Sequence, residues 1–393
     1  MATVEGFPRE LLTQPNEARM AYFAGKVVAH PRLRETHRTL LNTIRQPSGV
    51  PLVLVFGPTG VGKTTLRLRV ERQLIEEAMP ELAKDPGRIP VVAVEAVAPE
   101  SGQFNWKDYY TRALMAMEEP LIRQKIDYSA RRVHSDGTGR LVVEQANSAP
   151  ELRRALEQCL RHRRPAAFIV DEAQHLKKMA GGRRLLDQMD TLKSLAAMTG
   201  TVHVLVGTYE LLSLAGLSAQ LSRRSAEIHF GRYRPESAED LLAFKSVILT
   251  FQRHLPLAAE PDLVGRWEYL YEHSVGCVGV LKSWLNRALA VVLEEGESTL
   301  TWRRLEEQAD STRKLLSLAR EIKEGEERLR AEGREDDDLR MLLGLGTKPV
   351  ERGEAETTRA RPPGTGTRRP VGRAPQRRPE RDPVGEGRAG SGP

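Results

Sequence analysis

Between residues 57 and 64 the chain reads Gly57, Pro58, Thr59, Gly60, Val61, Gly62, Lys63, Thr64, a G-x-x-x-x-G-K-T run. Glycines at the first, fourth and sixth places let successive backbone N–H groups turn toward one point, which suits the oxygens of a phosphate. Lys63 would reach the β- and γ-phosphates, and the Thr64 hydroxyl would ligate Mg²⁺, with Thr65 in the same turn. The chemistry implied is the binding of ATP with its metal. A second element, Phe168-Ile-Val-Asp171-Glu172, places two carboxylates just past an apolar run. There Asp171 can hold Mg²⁺ through water and Glu172 can orient an attacking water, so the expected activity is a slow, regulatory hydrolysis of ATP. Such a pair would also suit a solvated helix N-terminus, but the phosphate loop upstream favours the metal role.

These residues need elements to hold them. Pro51-Leu-Val-Leu-Val-Phe56 is a short apolar run ending in glycine, and Lys63 to about Met79 has helical period, so the glycine loop lies between strand and helix. Further buried strands are predicted over 89–95, 166–171, 202–206 and 226–230, with helices over about 150–162 and 182–199 between them. Strands alternating with helices predict an α/β fold with a parallel sheet covered on both faces, five strands in the order 5-1-4-3-2. The expected organisation is an N-terminal helical extension at 1–48, with Leu33, Leu40, Leu41 and Ile44 as its apolar face. The α/β core follows at 49–236 and a small all-α lid at 237–300. C-terminal helices fill 301–346, and a disordered tail rich in Pro, Gly and Arg fills 347–393. In the stretch 303–332, Leu305, Leu315, Leu316, Leu318 and Ile322 are spaced for one helical stripe, read as packing on the lid.

Three further groups carry candidate chemistry. Thr208, past the fourth strand, is a candidate polar sensor of the γ-phosphate, or equally a turn residue satisfying local backbone. Arg223 and Arg224 precede the fifth strand at a helix end. They could reach into a neighbouring subunit's site to stabilise the transferring phosphoryl group, or simply favour the helix C-terminus. A basic insertion at about 119–145 carries Arg123, Lys125, Arg131, Arg132 and Arg140. Spaced along a loop, these could follow DNA phosphates without reading bases, and a solvated insertion without ligand is the other reading. Leu339 to Leu345 reads either as a short docking element or as a cap on the lid.

Composition sets the limits. The chain of 393 residues is 40% hydrophobic, enough for a conventional core. Of its net charge of +7, eleven Lys/Arg against six Asp/Glu after residue 346 contribute +5, so a nucleic-acid surface on the folded part must be a local patch. Cys159 and Cys277 have no neighbours at metal-ligand spacing and read as core thiols. Neither an apolar run long enough to span a bilayer nor a signal-peptide pattern is present, so no membrane association and a cytoplasmic location are expected.

Together, the glycine loop, acidic strand end, polar sensor, arginine before the fifth strand and helical lid resemble an AAA+ module. More narrowly, the chain resembles the transposition ATPases of the TnsC/TniB family. The resemblance rests on His30-Pro-Arg-Leu, Gly102-Gln-Phe-Asn-Trp106-Lys-Asp-Tyr-Tyr, Asp171-Glu-Ala-Gln-His175-Leu, Gly207-Thr-Tyr-Glu-Leu, Leu221-Ser-Arg-Arg-Ser, His229-Phe-Gly-Arg-Tyr233 and Gly276-Cys-Val-Gly-Val-Leu-Lys282-Ser-Trp-Leu, and covers roughly residues 20–295. It implies a homo-oligomer, ring or helical filament, that assembles with ATP on double-stranded DNA. Such a protein recruits a transposase to a target chosen by a target-selector protein, RNA-guided or otherwise, and is released on hydrolysis. It also adds Lys107, in the loop after the second strand, to the DNA candidates. Many AAA+ lids carry a sensor arginine where Gly279 stands here, and Lys282 is the expected substitute at the nucleotide. The other class of function considered is a signalling or replication-initiator AAA+ switch acting mainly on a protein partner.

Overall fold

The protein is described by a computed structural model that covers residues 6–98, 104–120, 133–135, 141–143, 148–177, 182–215, 225–332 and 341–344. Met1–Arg334 forms one compact unit and Glu335–Pro393 a second, of which the described part is a single turn with Met341, Leu342 and Leu343 exposed.

Five strands build the central sheet: β1 (Leu52–Phe56), β2 (Val91–Glu95), β5 (Ala167–Asp171), β6 (Val202–Gly207) and β7 (Ser225–His229). A short antiparallel pair, β3 (Val133–Ser135) and β4 (Leu141–Val143), lies inside the basic insertion. All pairings in the main sheet are parallel and its order is β2-β5-β6-β1-β7, which is the predicted 5-1-4-3-2. β1, β5 and β6 are buried at every position because both faces are covered, and they read as apolar runs broken only by His203 and the terminal Asp171. On one face Leu52, Leu54, Phe56, Phe168, Val170 and Leu205 pack under α4 (Trp106–Ala116), α5 (Ala149–Arg163) and α6 (Gly182–Thr199). Their neighbours Val53, Val55, Ile169, Val204 and Val206 point the other way, under α2 (Pro31–Arg45) and α3 (Lys63–Leu82). That is the period-two alternation of strand side chains.

Local chemistry fixes the element ends. His30 accepts the Leu33 N–H at 3.3 Å and Pro31 opens α2, so His30-Pro is a capped helix start. Leu33, Leu40, Leu41 and Ile44 are buried as expected. Ser148 and Glu151 make a capping box on α5. Phe104, Trp106, Tyr109 and Tyr110 form an aromatic cluster, which accounts for the Phe-Asn-Trp run after β2.

A third apolar cluster is mostly helical. It joins α8 (Ala238–His254), α9 (Trp267–Ser274), α10 (Val278–Glu294) and α11 (Trp302–Glu307), and Phe23 of α1 (Asn16–Gly25) is part of it. Trp284 is buried in it and donates to the Leu305 carbonyl at 2.9 Å. The remaining described helices are the short α7 (Leu212–Ala215) and α12 (Thr312–Glu332). The single stripe expected over 303–332 is divided. Leu305 belongs to α11 and the helical cluster, whereas α12 starts afresh at Thr312 and packs on the short helical turn at Tyr209–Leu211. Leu316 of that stripe is exposed. Among the described residues no single helix is long and apolar enough to cross a membrane.

Candidate functional site

The C-terminal ends of β1, β5 and β6 lie side by side, with Phe56 in register with Gly207 and Glu95 in register with Asp171. Loops after strands of a parallel sheet converge there, where such folds place ligands. The glycine loop leaves β1 at Gly57 and enters α3 at Lys63, whose N-cap Gly62 has φ 112°. Gly60 also has positive φ, so both places need glycine. At Gly57 an added Cβ would stand 2.0 Å from the Phe230 carbonyl oxygen, because the segment after β7 runs directly against the loop. The first N–H groups of α3 have no partners within the helix, and no acidic side chain lies in its first turn. A phosphate fits this cradle of amides and the positive end of the helix.

Lys63 is 9% exposed, and its ammonium donates to the carbonyls of Gly57 at 3.0 Å and Pro58 at 2.9 Å. Burial pulls its pKa below the ordinary lysine value, while Glu172, Cys277, Asp171 and Glu321 pull it up. The loop lysine and both strand-end carboxylates therefore share one electrostatic environment, as the spacing predicts. Asp171 accepts the Glu172 N–H at 3.0 Å through Oδ1 and Arg67 Nε at 3.0 Å through Oδ2. Arg67 also pairs with Glu71 at 2.5 Å. Both Asp171 oxygens are thus engaged, so Asp171 would reach Mg²⁺ through a water beside the exposed Thr64 on α3, which fits an ion that takes few protein ligands beside phosphate oxygens and water.

Glu172 sits at φ 52°, a conformation uncommon for a non-glycine residue and often met at functional sites. Its carboxylate accepts a hydrogen bond from the Gln174 side-chain amide. The other end of that amide, Oε1, accepts the Thr208 N–H at 3.3 Å. Gln174 is buried and thus ties the water-orienting candidate to the end of β6. Gly207 makes room for it, since a Cβ there would stand 2.5 Å from Gln174 Oε1. The Thr208 hydroxyl accepts the Glu210 N–H at 3.4 Å, the local turn arrangement weighed above. Gln174 was not singled out by sequence reasoning; its place two residues after the acidic pair was the available signal.

Beside the glycine loop lies a cavity of about 120 Å³ lined by Val28, His30, Val61, Gly62, Thr65 and Lys282 among others. His30 bonds Tyr233 Oη at 2.9 Å, and burial lowers its pKa to about 4, so the ring is neutral. Lys282 lines the cavity, but its ammonium turns to the Phe23 carbonyl and lies 3.3 Å from the Phe23 ring centroid. Burial, helped by Lys26, lowers its pKa to about 7. Gly279, at the place of the missing arginine, donates its N–H to the Gly60 carbonyl at 2.8 Å.

Not all candidates are brought here. Lys107 is exposed on the first turn of α4. Arg123, Lys125, Arg131, Arg132, Arg140, Arg223 and Arg224 lie outside the described residues. Conversely, α12 comes to the site unannounced: Glu321 lies beside Thr59 and within the field of Lys63, and Glu326 pairs with Arg232 at 3.0 Å. Among the described residues no group of three or more His, Cys, Asp and Glu side chains could itself hold a metal.

Residues 45–214 match the family described as "AAA domain", a stretch that includes the glycine loop, Asp171, Glu172 and Thr208. A comparison with curated proteins finds no match. Among solved structures, the chain is similar to the Aeropyrum pernix ORC2 protein in ADPNP–ADP complexes, with 16% identity and TM-score 0.46 over 75% of this chain and 73% of that one. It is similar to the Aeropyrum pernix ORC1 protein in complex with DNA, with 16% identity and TM-score 0.47 over 75% and 68%. It is also similar to a Walker-type ATPase of Pyrococcus abyssi, with 18% identity and TM-score 0.40 over 81% and 85%.

Proposed function

We propose that this chain, with an AAA domain over residues 45–214, is an ATP-dependent DNA-binding regulator of DNA transposition. In this reading it oligomerises on duplex DNA with ATP, links target selection to transposase recruitment, and leaves the DNA on hydrolysis. The observation that carries the nucleotide part is the convergence of Gly57–Thr65, Asp171 and Glu172 at one end of the sheet. What supports the narrower part is that motifs specific to the resemblance meet around that same loop. His30 bonds Tyr233, Phe230 abuts Gly57, and Gly279 bonds Gly60.

Each residue then has a task. The loop amides and Lys63 hold the phosphates, and the cavity beside Val61 and Lys282 receives the base. Thr64 and Asp171 would hold Mg²⁺, whose charge offsets that of the β- and γ-phosphate oxygens. Glu172, aimed by Gln174, orients the attacking water and takes up its proton. Thr208 would sense the terminal phosphate, and Arg223 or Arg224 would complete a neighbour's site. Lys107 and the insertion arginines would follow the DNA backbone.

A gel shift on non-specific duplex DNA with ATP, ADP or a non-hydrolysable analogue, followed by electron microscopy, tests the reading. Filaments or rings on DNA that require the triphosphate support it. Nucleotide binding without DNA binding in any state would instead favour the switch acting on a protein partner.

A further inference from the structure

Helix α12 packs on Tyr209 and brings Glu321 beside Thr59 of the glycine loop, and the contacts it makes there are not those of a helix that merely fills space. Ile322 is 0% exposed and Glu326 is 4% exposed, although Glu326 is a carboxylate. Between them lies Gly325, pressed so close to Tyr209 that a Cβ would stand 2.2 Å from the ring. Glu326 accepts Arg232 Nε at 3.0 Å and Arg232 Nη2 at 3.3 Å, a two-pronged pair, and Arg234 stands 3.8 Å away. Arg232 follows Phe230, whose carbonyl abuts Gly57 of the loop, and its Nη1 also reaches Tyr271 Oη at 2.7 Å. Tyr271 Oη in turn donates to the Tyr233 carbonyl at 2.8 Å, so Arg232 is held from the side of α9 as well. Five residues back along α12, Glu321 stands beside Thr59 of the loop and in the field of Lys63.

A carboxylate on a guanidinium has the charge and the forked geometry of a phosphate on that guanidinium. A buried ion pair of this kind gains little net stability over an apolar contact, so its presence at this place calls for a use. We infer that Arg232 is the partner of the terminal phosphate of ATP and that Glu326 competes with that phosphate for it, so that α12 and the triphosphate share one guanidinium. The inference rests on the reading that Gly57–Thr65 binds ATP. On binding, the phosphate takes Arg232, and Glu326 and Glu321 are repelled by the new negative charge. Helix α12, which Gly325 lets lie flat on Tyr209, then comes away. ATP thus releases the C-terminal helix, whereas ADP, without a terminal phosphate to offer Arg232, does so less.

The apparent affinity for ATP is lowered by whatever fraction of molecules keeps α12 docked. Nucleotide titrations by a fluorescent analogue, on the full chain, test this with four variants. Glu326→Gln removes the competing charge at nearly constant volume, and Gly325→Leu forces α12 off Tyr209 without touching a charge. Both are expected to tighten ATP binding by about fivefold or more, a usual size for coupling between sites, and to tighten ADP less. Arg232→Gln is expected to weaken ATP and erase the preference for ATP over ADP, and adding Glu326→Gln to it should restore nothing. Hydrogen exchange of the α12 amides is expected to rise when ATP saturates the wild-type chain. Equal ATP affinity in wild type, Glu326→Gln and Gly325→Leu, or α12 exchange unchanged by ATP, overturns the inference while leaving the site standing. Lys63→Ala is the fourth variant: if it binds ATP as well as wild type, or if none of the chains binds nucleotide, the nucleotide site itself falls and the inference with it.

Discussion

The backbone N–H of Gly279, at the start of α10, donates to the carbonyl of Gly60 in the glycine loop at 2.8 Å. A Cβ on Gly279 would stand 2.5 Å from that same oxygen, so a side chain at this position would collide with the loop. The lid here meets the loop through backbone. Gly279→Val should strain this contact by about 1–3 kcal/mol, the usual cost of overpacking. Titration calorimetry is expected to show ATP binding weakened by about tenfold or more, with the fold retained by circular dichroism.

Gln174→Leu keeps the volume of the side chain and removes the donor to Glu172 and the acceptor for Thr208 N–H. Binding of ATP should be nearly unchanged. Hydrolysis should fall by about ten- to a hundredfold, as small misplacements of a catalytic group do. A steady-state assay that separates kcat from KM checks it, and Glu172→Gln should lose hydrolysis more completely while still binding.

Acid should destabilise the protein through its buried histidines. His30 and His203 are 5% and 0% exposed, and burial lowers each to about 4 from an ordinary 6.5. Between those values the unfolded chain takes up protons that the folded chain refuses. The contribution of these rings is therefore full above pH 6.5 and is lost as pH falls toward 4, by up to about 1.4 kcal/mol per pH unit for each ring. Urea midpoints from pH 7.5 to 4.5 should decline accordingly. His203→Phe, which keeps the stacking partner of Phe168 at 5.1 Å, should flatten the decline by one proton.

Lys282 works in a different window. Its pKa is about 7 in the folded chain against an ordinary 10.5, because burial against Phe23 and Phe251 disfavours the ammonium. The unfolded chain binds the extra proton between those values, so stability should rise with pH from 7 to 10.5 and be lowest below 7. Thermal midpoints of Lys282→Met should exceed those of wild type at pH 7 and below, and the difference should shrink toward pH 10.

The sheet was legible because its strands are buried on both faces, so Leu52–Phe56, Ala167–Asp171 and Val202–Gly207 carry long apolar runs that little else explains. The phosphate loop was legible because each residue type is forced by its place. Helix α12 was not, since a stripe such as Leu315 and Ile322 says which face is buried and not what covers it. Its ties to the site are Gly325 and Glu326, a glycine and an acid that look like solvent-facing helix residues until Tyr209 and Arg232 are beside them. Lys282 misled for a related reason. Its spacing after Gly279 suits a phosphate contact, but the Phe23 ring from the N-terminal helix claims its ammonium. Gln174 stayed hidden because a side-chain amide bridging two loops has no periodic signature.

Lys63 and the surrounding loop amides are expected to hold the triphosphate of ATP. Isothermal titration of ATP with Mg²⁺ into the wild-type chain and into Lys63→Ala tests this most directly. Saturable binding by wild type and none by the variant is predicted. Equal heats from both chains, or no heat from wild type with any adenine nucleotide, would contradict it.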